Sequence, residues 1–493
     1  MKPLLALACG ALVPLSLAPF GWWPLGLVAV GGWFALLQSS DRGGLLLGWL
    51  FGLGKYAAGV SWIYVSINVY GNAPPPLAAF LVALFAGGLA LFPMVNAWVF
   101  QRLRTKGAPL VNAWLFACLF VAFEWLLTWF LTGFPWLYPA YGHVETVLGG
   151  LAPAGGVMLV SLGLAGSACS VAAAHQCARR LPVLTAALAP WVVGAVLGAV
   201  SWVEPGAVRT VALVQGNVDQ AVKWLPENRR PIIDRYRGLS EDHWGVDVMV
   251  WPEAAITVMA HDAGEVLGDL EREGERSGTA VVLGLPAVER LADDRIVLRN
   301  TAIALGDGSG RYVKRRLVPF GEYVPLEGWL RGLIEFFDLP MSRAAPGDWR
   351  QPLLRVGQEQ AALAICYEIV YPDLVRAQAV GADVLVTISN DTWFGASIGP
   401  LQHLQMARMR ALENGRWLLR GTNNGVTAIV DHRGRLVARL PQFEAGVLRG
   451  EYRLVAGRTP YNRHGDGPVL VLVAFGLGVA FWRRLGAARG ADG

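Results

Sequence analysis

Three residues of complementary reactivity stand where apolar, β-branched runs give way to loops. They are Glu253 in Trp251-Pro252-Glu253-Ala254, Lys314 in Tyr312-Val313-Lys314-Arg315 and Cys366 in Ile365-Cys366-Tyr367-Glu368. A thiol is a weak nucleophile at its free pKa and becomes a strong one beside a base or a cation. One nucleophile, one carboxylate and one ammonium are enough for acyl transfer. Taken singly, each also has a structural reading: Glu253 as a helix cap, Lys314 as a surface charge on a hairpin, Cys366 as core. Cys366 is set apart by its solitude. Cys9, Cys118, Cys169 and Cys177 lie in or beside apolar segments, so the polar part of the chain holds one thiol and can form no internal disulfide. A lone thiol facing an oxidising compartment is a liability, which favours chemistry over packing.

The elements that must position these groups are legible from Arg209 onward. Thr210 to Val214, Val246 to Trp251, Ala280 to Leu285, Thr301 to Leu305, Ala361 to Ile365 and Val384 to Ser389 are apolar and β-branched enough for buried strands. Pro400 to Asn414 reads as a helix, and Asp307 to Gly310 and Asp431 to Gly434 have hairpin-turn chemistry. Strands alternating with helices predict a layered α/β sandwich, and strand ends are where such sheets expose their working groups.

The rest of the chain belongs to another solvent. Of 493 residues 54% are hydrophobic and only 16% charged, and the first two hundred positions and the last thirty are nearly free of acids. A spanning helix needs about 20 apolar residues to cross about 30 Å of hydrocarbon. Residues 45–66, 77–100, 109–131, 148–174, 182–202 and 468–482 meet or approach that length. Residues 3–38, interrupted by Pro14, Pro19, Gly21 and Pro24, read as two short helices joined by a tight turn, which makes about eight spans. Lys2, Arg42, Arg102, Arg104, Lys106, Arg179, Arg180, Arg483 and Arg484 then fall on one side, the cytoplasm. The polar stretch falls on the other side, which in a bacterium is the periplasm. The expected units are a membrane unit of seven spans over residues 1–203, a soluble catalytic unit over 204–463, and a final span with its tail over 464–493. The net charge of +5 is explained by this topology, and nucleic-acid binding is not expected.

Lys55 and Glu124 fall inside spans, where a charge must pair or face water; they are either site candidates or a pair that holds the bundle. The aromatic loop Gly133-Phe134-Pro135-Trp136-Leu137-Tyr138-Pro139 suits an interface anchor or a lipid-contacting rim.

The order Glu, Lys, Cys, each in its own local signature, resembles the nitrilase superfamily over residues 209 to 455. The stretches Val214-Gln215-Gly216-Asn217, Pro319-Phe320-Gly321-Glu322-Tyr323-Val324-Pro325 and Ser389-Asn390-Asp391-Thr392-Trp393-Phe394, with spans on both sides, resemble its membrane-embedded, lipoprotein-acylating branch. The resemblance implies an αββα sandwich and a triad of Glu253, Lys314 and Cys366. In that triad Glu253 is the base, its pKa raised by burial, and Cys366 the nucleophile. Lys314 and the backbone N–H of Tyr367 stabilise the oxyanion. It further implies that Glu322, Tyr367 and Glu368 orient the triad, and that Asn390, Trp393 and Phe394 shape the pocket. Trp224 is then a mobile-loop aromatic that meets lipid chains, with Trp136 a further substrate contact. His403 is expected in packing or at the surface.

The implied reaction passes an acyl chain from a phospholipid, phosphatidylethanolamine, through a thioester to the α-amine of the S-diacylglyceryl-cysteine of an apolipoprotein at the bacterial inner membrane. No metal or organic cofactor is called for, since the sequence holds neither a His/Cys ligand cluster nor a phosphate-binding glycine loop. Two other readings stay open. A membrane-tethered amidase would hydrolyse small amides without lipid. A transporter or sensor with a silent catalytic domain would depend on Lys55 or Glu124 and not on Cys366.

Overall fold

The computed structural model describes residues 1–291, 294–324 and 344–489; Pro325 of the signature above and the last residues of the tail, 490–493, lie outside them. The amino-terminal two-fifths is a bundle of apolar helices: α1 (Lys2–Leu15), α2 (Pro24–Gln38), α3 (Gly44–Gly59), α4 (Trp62–Val65), α5 (Pro75–Leu89), α6 (Leu91–Leu103), α7 (Pro109–Leu126), α8 (Ala152–Ala173) and α9 (Arg180–Ala199). Among the described residues five helical stretches are long and apolar enough to cross a membrane, namely Pro75–Leu103, Pro109–Leu126, Val147–Gln176, Arg180–Ala199 and Gly467–Arg484. Gly10 and Gly54 bring α1 and α3 together, because a Cβ at either would run into the backbone of the other helix. The stretch expected as one span over 45–66 is broken instead: Val60, non-helical at φ −114°, separates α3 from α4.

The loops at the two ends of the bundle have different partners. At one end the Lys2 ammonium donates to the Ser39 carbonyl at 2.7 Å, Arg104 donates to the Gln38 carbonyl at 2.6 Å and pairs with Asp41 at 2.8 Å, and Gln38 meets Gln176. The basic loops therefore converge. At the other end the loops meet the soluble unit: Ala18 N–H donates to Gln405, Ser66 to the Trp393 carbonyl, and Arg408 pairs with Glu145. Inside the bundle Lys55 and Glu124 do not touch. The Lys55 ammonium lies over the rings of Tyr56 and Tyr138 at 5.1 and 5.9 Å, and Glu124 accepts from Ser161 through its carboxylate and from the Tyr138 hydroxyl through its carbonyl. Tyr138 stands between them, which fits a role in holding the bundle.

The soluble unit contains two sheets. The strands are β1 (Val203–Gln215), β2 (Val248–Val250), β3 (Ala280–Arg290), β4 (Ile296–Gly306), β5 (Gly308–Ser309), β6 (Arg311–Val313), β7 (Leu354–Val356), β8 (Glu359–Ile365), β9 (Val384–Ser389), β10 (Leu418–Thr422), β11 (Ala428–Val430), β12 (Leu436–Arg439) and β13 (Gly446–Gly457). The first sheet runs β13-β1-β2-β3-β4-β6 and the second β12-β11-β10-β9-β8-β7-β5, with β1-β2-β3 and β8-β9-β10 parallel. Val211, Leu213, Val250 and Val282 of one sheet face Leu363, Ile365, Val386 and Leu419 of the other in one apolar layer. The helices α10 (Gln220–Lys223), α11 (Arg229–Ser240) and α12 (Gly264–Ser277) belong to the first half of this unit. Of these, α11 and α12 cover the outer face of the first sheet through Ile232, Tyr236 and Leu270. The helices α13 (Pro372–Ala379) and α14 (Gly399–Asn414) cover the second. Beyond them α15 (Pro460–His464) leads into α16 (Gly467–Arg489).

This is the expected αββα order, with one addition. The apolar layer of α13 and α14 is continuous with that of the bundle, since Leu374, Met406 and Leu412 belong to the same buried cluster as Phe116, Trp136 and Val160. The aromatic loop over 133–139 lies in this joint. Phe134, Trp136, Leu137 and Tyr138 are all buried, so the expected lipid-facing rim is instead packed under the soluble unit.

Candidate active site

Three strand ends deliver the three reactive groups to one place. Glu253 follows β2 through a tight turn in which Ala254 takes a left-handed φ of 47°. That turn presses on β3 at Gly284, where a Cβ would stand 2.8 Å from the Glu253 Cα, so only glycine fits. Glu253 Oε1 accepts from Asn300 Nδ2 at 2.7 Å and from Lys314 Nζ at 3.2 Å, and Oε2 accepts from the backbone N–H of Asn390 at 2.9 Å. Lys314 follows β6, is 1% exposed, and donates also to Glu322 at 2.9 Å. Glu322 in turn accepts from Asn300 and from the Val318 N–H. The ammonium is thus held between two carboxylates, with one amide bracing both.

Cys366 ends β8 and turns the chain with φ 52°, a left-handed conformation that is strained for a residue with a Cβ and persists only where its surroundings impose it. The imposing group on one side is Glu368, whose carboxylate accepts from the N–H groups of Ile365 at 2.8 Å and Arg315 at 2.7 Å and from the Tyr312 hydroxyl at 2.9 Å. One side chain therefore ties the cysteine turn to the lysine segment. On the other side His403 Nε2 lies 3.1 Å from the Cys366 carbonyl oxygen. Arg420 Nη2 points at His403 Nδ1 from 3.0 Å and donates to Asp391 at 2.7 Å, while Ser389 also donates to Asp391. His403 Nδ1 also lies 3.1 Å from Asp391 Oδ1 and so stands between a donor and an acceptor, whereas Nε2 faces the Cys366 carbonyl, an acceptor, and carries a proton aimed at it. Burial and Arg420 outweigh Asp391 and hold the imidazole below its ordinary value, which favours the neutral form.

The electrostatics differ from expectation at Glu253. Burial does push its carboxyl up, but Lys314 and the hydrogen bonds from Asn300 and Asn390 outweigh it and hold the group below the usual carboxylate value. Burial likewise works against the Lys314 ammonium, and Glu253, Glu322 and Cys366 more than restore it. At Cys366 burial and the charge of Glu253 raise the thiol, and Lys314 does not bring it back. The resting site is a carboxylate, an ammonium and a protonated thiol.

The other residues singled out from the sequence are distributed around this centre. Asn390 supplies its N–H to Glu253 and ties its side chain to Gln220 at 2.7 Å. Tyr367 is buried against Tyr371, their rings 5.2 Å apart. Trp393 meets Tyr70 at 5.7 Å, and Phe394 meets Trp62 at 4.7 Å. Trp224, half-buried, ends α10 between the exposed side chains of Val222 and Leu225. Trp136 is closed off rather than open to a ligand: it is 1% exposed, donates its indole N–H to Gln402 at 2.8 Å and stacks on His403. His403 is buried and touches the Cys366 carbonyl, so a surface position is excluded.

Asn300, Lys223 and Arg420 were not legible as site residues. Lys223 is completely buried and donates to the Glu253 carbonyl at 3.3 Å. The available signals were a charge inside the apolar run Leu418-Leu419-Arg420 and a lysine beside the loop tryptophan.

A stacked pair of sheets with cysteine, lysine and glutamate at adjoining strand ends, fused to an apolar bundle, defines a membrane-associated member of the carbon-nitrogen hydrolase class. The carbon-nitrogen hydrolase family model matches residues 210–458, and the model described as the apolipoprotein N-acyltransferase N-terminal domain matches residues 9–170. Among curated proteins, apolipoprotein N-acyltransferase of Pseudomonas aeruginosa (strain UCBPP-PA14) is 46% identical over 98% of this chain and 95% of its own. That of Azotobacter vinelandii is 48% identical over 99% and 96%, and that of Vibrio cholerae 40% identical over 98% and 97%. The chain belongs to the apolipoprotein N-acyltransferase family.

Proposed function

We propose that this membrane enzyme passes an acyl chain from a phospholipid to the N-terminal α-amine of S-diacylglyceryl-cysteine on apolipoproteins, in two half-reactions at Cys366. The observation that carries the reading is the Lys314 ammonium held against Glu253 and Glu322, beside a cysteine forced into a left-handed turn. In the first half-reaction the sulfur attacks the ester carbonyl while Glu253 accepts the thiol proton. Lys314 and the Tyr367 N–H face the developing oxyanion. Collapse breaks the carbon–oxygen bond, and Glu253 returns the proton to the departing lysophospholipid oxygen. In the second, the α-amine attacks the thioester, Glu253 takes the amine's proton, and the sulfur leaves as a thiolate that regains it.

The low acidity of the thiol and the low basicity of Glu253 keep the proton on sulfur at rest. Transfer becomes favourable only as negative charge moves toward Lys314, which protects the lone thiol between turnovers. Phosphatidylethanolamine is the donor in this reading. Trp224, Trp393 and Phe394 border the acyl path, while Tyr367, Glu368, Glu322 and Asn390 hold the triad in place.

The membrane unit over 1–203 crosses seven times and α16 makes the eighth crossing, with residues 204–463 in the periplasm at the bacterial inner membrane. The convergence of the basic loops at one end and the docking of the soluble unit at the other support this orientation. Helices α1 and α2, at about 1.5 Å per residue, reach little more than 20 Å and form a short hairpin under the soluble unit. Confining two membrane-anchored substrates beside one site raises their effective concentration.

The test is intact-mass measurement of purified protein incubated with phospholipid and no acceptor. A single acyl adduct on Cys366, released by neutral hydroxylamine and consumed by a diacylglyceryl lipopeptide with a free amine, is expected. Transfer without any adduct would overturn the thioester, and loss of the adduct to water alone would favour the amidase.

A further inference from the structure

Arg315 and Arg316 are neighbours, and Arg315 is the better satisfied of the two although its buried Nη2 also lacks a partner. Arg315 is buried, its Nη1 donating to the Trp349 carbonyl at 2.5 Å and its Nε to the Tyr312 hydroxyl at 3.1 Å. Arg316 has its backbone pinned by an N–H bond to Glu368 at 3.1 Å, yet its guanidinium is almost unsatisfied. Nη1 reaches only the Thr132 carbonyl, at 3.5 Å, and Nε is buried with no partner. No described carboxylate pairs with it. The cation rests on aromatic faces instead, 4.9 Å from the Tyr371 ring and 5.8 Å from that of Trp349.

Its position gives this unmet valence a meaning. One residue separates it from Lys314. Tyr371, on which it lies, packs against Tyr367, the residue after the nucleophile. On its other side is the end of the loop after α7, where Trp129, Phe130 and Leu131 are exposed and Tyr371 donates to the Thr132 and Gly133 carbonyls. Exposed aromatics after a spanning helix mark headgroup depth. A rigidly held arginine with free donors, at headgroup depth and next to an acyl-accepting cysteine, matches one chemical group. Only the glycerol backbone separates the ester of a glycerophospholipid from its phosphodiester, and guanidinium is the side chain best fitted to phosphate.

We propose that Arg316 binds the phosphodiester of the acyl donor and so seats the donor's ester at Cys366. This rests on the reading of Cys366 as the acyl acceptor, and the test separates the two. Acylation of Cys366 is followed by intact mass against donor concentration, with a phospholipid and with p-nitrophenyl palmitate, an acyl ester that has no phosphate. R316Q should raise the half-saturating phospholipid concentration about 10- to 100-fold, the loss of a charge-assisted contact. It should leave acylation by the nitrophenyl ester within about twofold, and R316K should fall between. An ether-linked phospholipid, which carries the phosphate but no cleavable ester, should inhibit wild-type acylation by the nitrophenyl ester and lose about tenfold or more in potency against R316Q. Equal loss with both donors would make Arg316 a support of the Glu368 clamp, and no change with either would remove it from donor binding; both overturn the proposal. Absence of an adduct in the wild type with either donor would overturn the acyl-cysteine reading itself.

Discussion

His403 holds Cys366 by its carbonyl rather than by its sulfur, with Nε2 3.1 Å from that oxygen. The contact fixes the left-handed turn, not the proton transfer, so His403 is a positioning residue. His403→Ala is expected to slow Cys366 acylation about 10- to 100-fold, and His403→Asn, whose amide can still donate, to recover part of the loss. Because burial and Arg420 hold the imidazole below its ordinary value, any His403 limb in the wild-type rate profile should lie below the ordinary histidine range. A histidine limb that vanished in His403→Asn would make it a proton carrier instead.

Replacing Glu253 should move two properties of Cys366 in opposite directions. Glu253→Gln removes the base, and acyl transfer falls by about 100-fold or more. It also removes one of the charges that push the thiol up, so the sulfur ionises more readily beside Lys314. Alkylation by iodoacetamide at a fixed mildly alkaline pH should therefore become faster in Glu253→Gln than in the wild type. Parallel loss of both would mean that Glu253 shapes the site without acting as base. Lys314→Ala should slow both, since it removes the cation that each requires.

Asp391 and Arg420 are both wholly buried, paired at 2.7 Å. Asp391→Asn leaves the arginine charge without its counterion, and removing one partner of a buried pair typically costs about 3–5 kcal/mol. A large drop in the melting temperature in detergent is expected, partly reversed in the Asp391→Asn/Arg420→Met double variant. An unchanged melting temperature in Asp391→Asn would show that the pair is not structural.

Lys223 gives a stability signature in alkali. Burial, opposed by the charge of Glu253, pushes its ammonium from 10.5 down to about 8. Between those values the unfolded chain binds more protons than the folded one, so stability rises with pH across that window. The lysine's share is on the order of 3 kcal/mol. Thermal melts of wild type and Lys223→Met from pH 8 to 10.5 should converge as pH rises, the variant being the more stable at the lower end. Curves that stay parallel would mean the ammonium keeps its proton when buried.

Reporter fusions check the orientation. Fusions after Arg104 and after Arg484 should report cytoplasm, and those after Asn72 and after Glu204 the outer side. An outer Arg484 would mean that an odd number of the eight counted spans does not cross.

The strands that read well in the sequence are those buried on both faces. Val384–Ser389 is matched residue for residue, and the helix expected from Pro400 begins at Gly399. The strand over Gly446–Gly457 went unread because Arg449, Glu451 and Arg453 interrupt its apolar pattern, and its partner β1 lies more than two hundred residues earlier. That Glu253, Lys314 and Cys366 would come together was legible because each carries its own local signature. The acidity of Glu253 was not, because the donors that set it, Asn300, Lys314 and Asn390, arrive from three separate segments. Trp136 was misread for a related reason: an aromatic loop suits lipid by composition, and only the fold reveals what covers it.

The seating of Trp136 against Gln402 and His403 limits how this protein can be taken apart. The helix that carries both contacts also steadies the nucleophile's turn, so excision of residues 204–463 would strip an indole from its socket directly behind the cysteine. Such a fragment would expose the underside of its own catalytic floor to water and would be expected to aggregate rather than to act as a soluble amidase. By the same argument, hybrids that join one relative's bundle to another's catalytic half should work only when the residues facing each other across this seam are exchanged together.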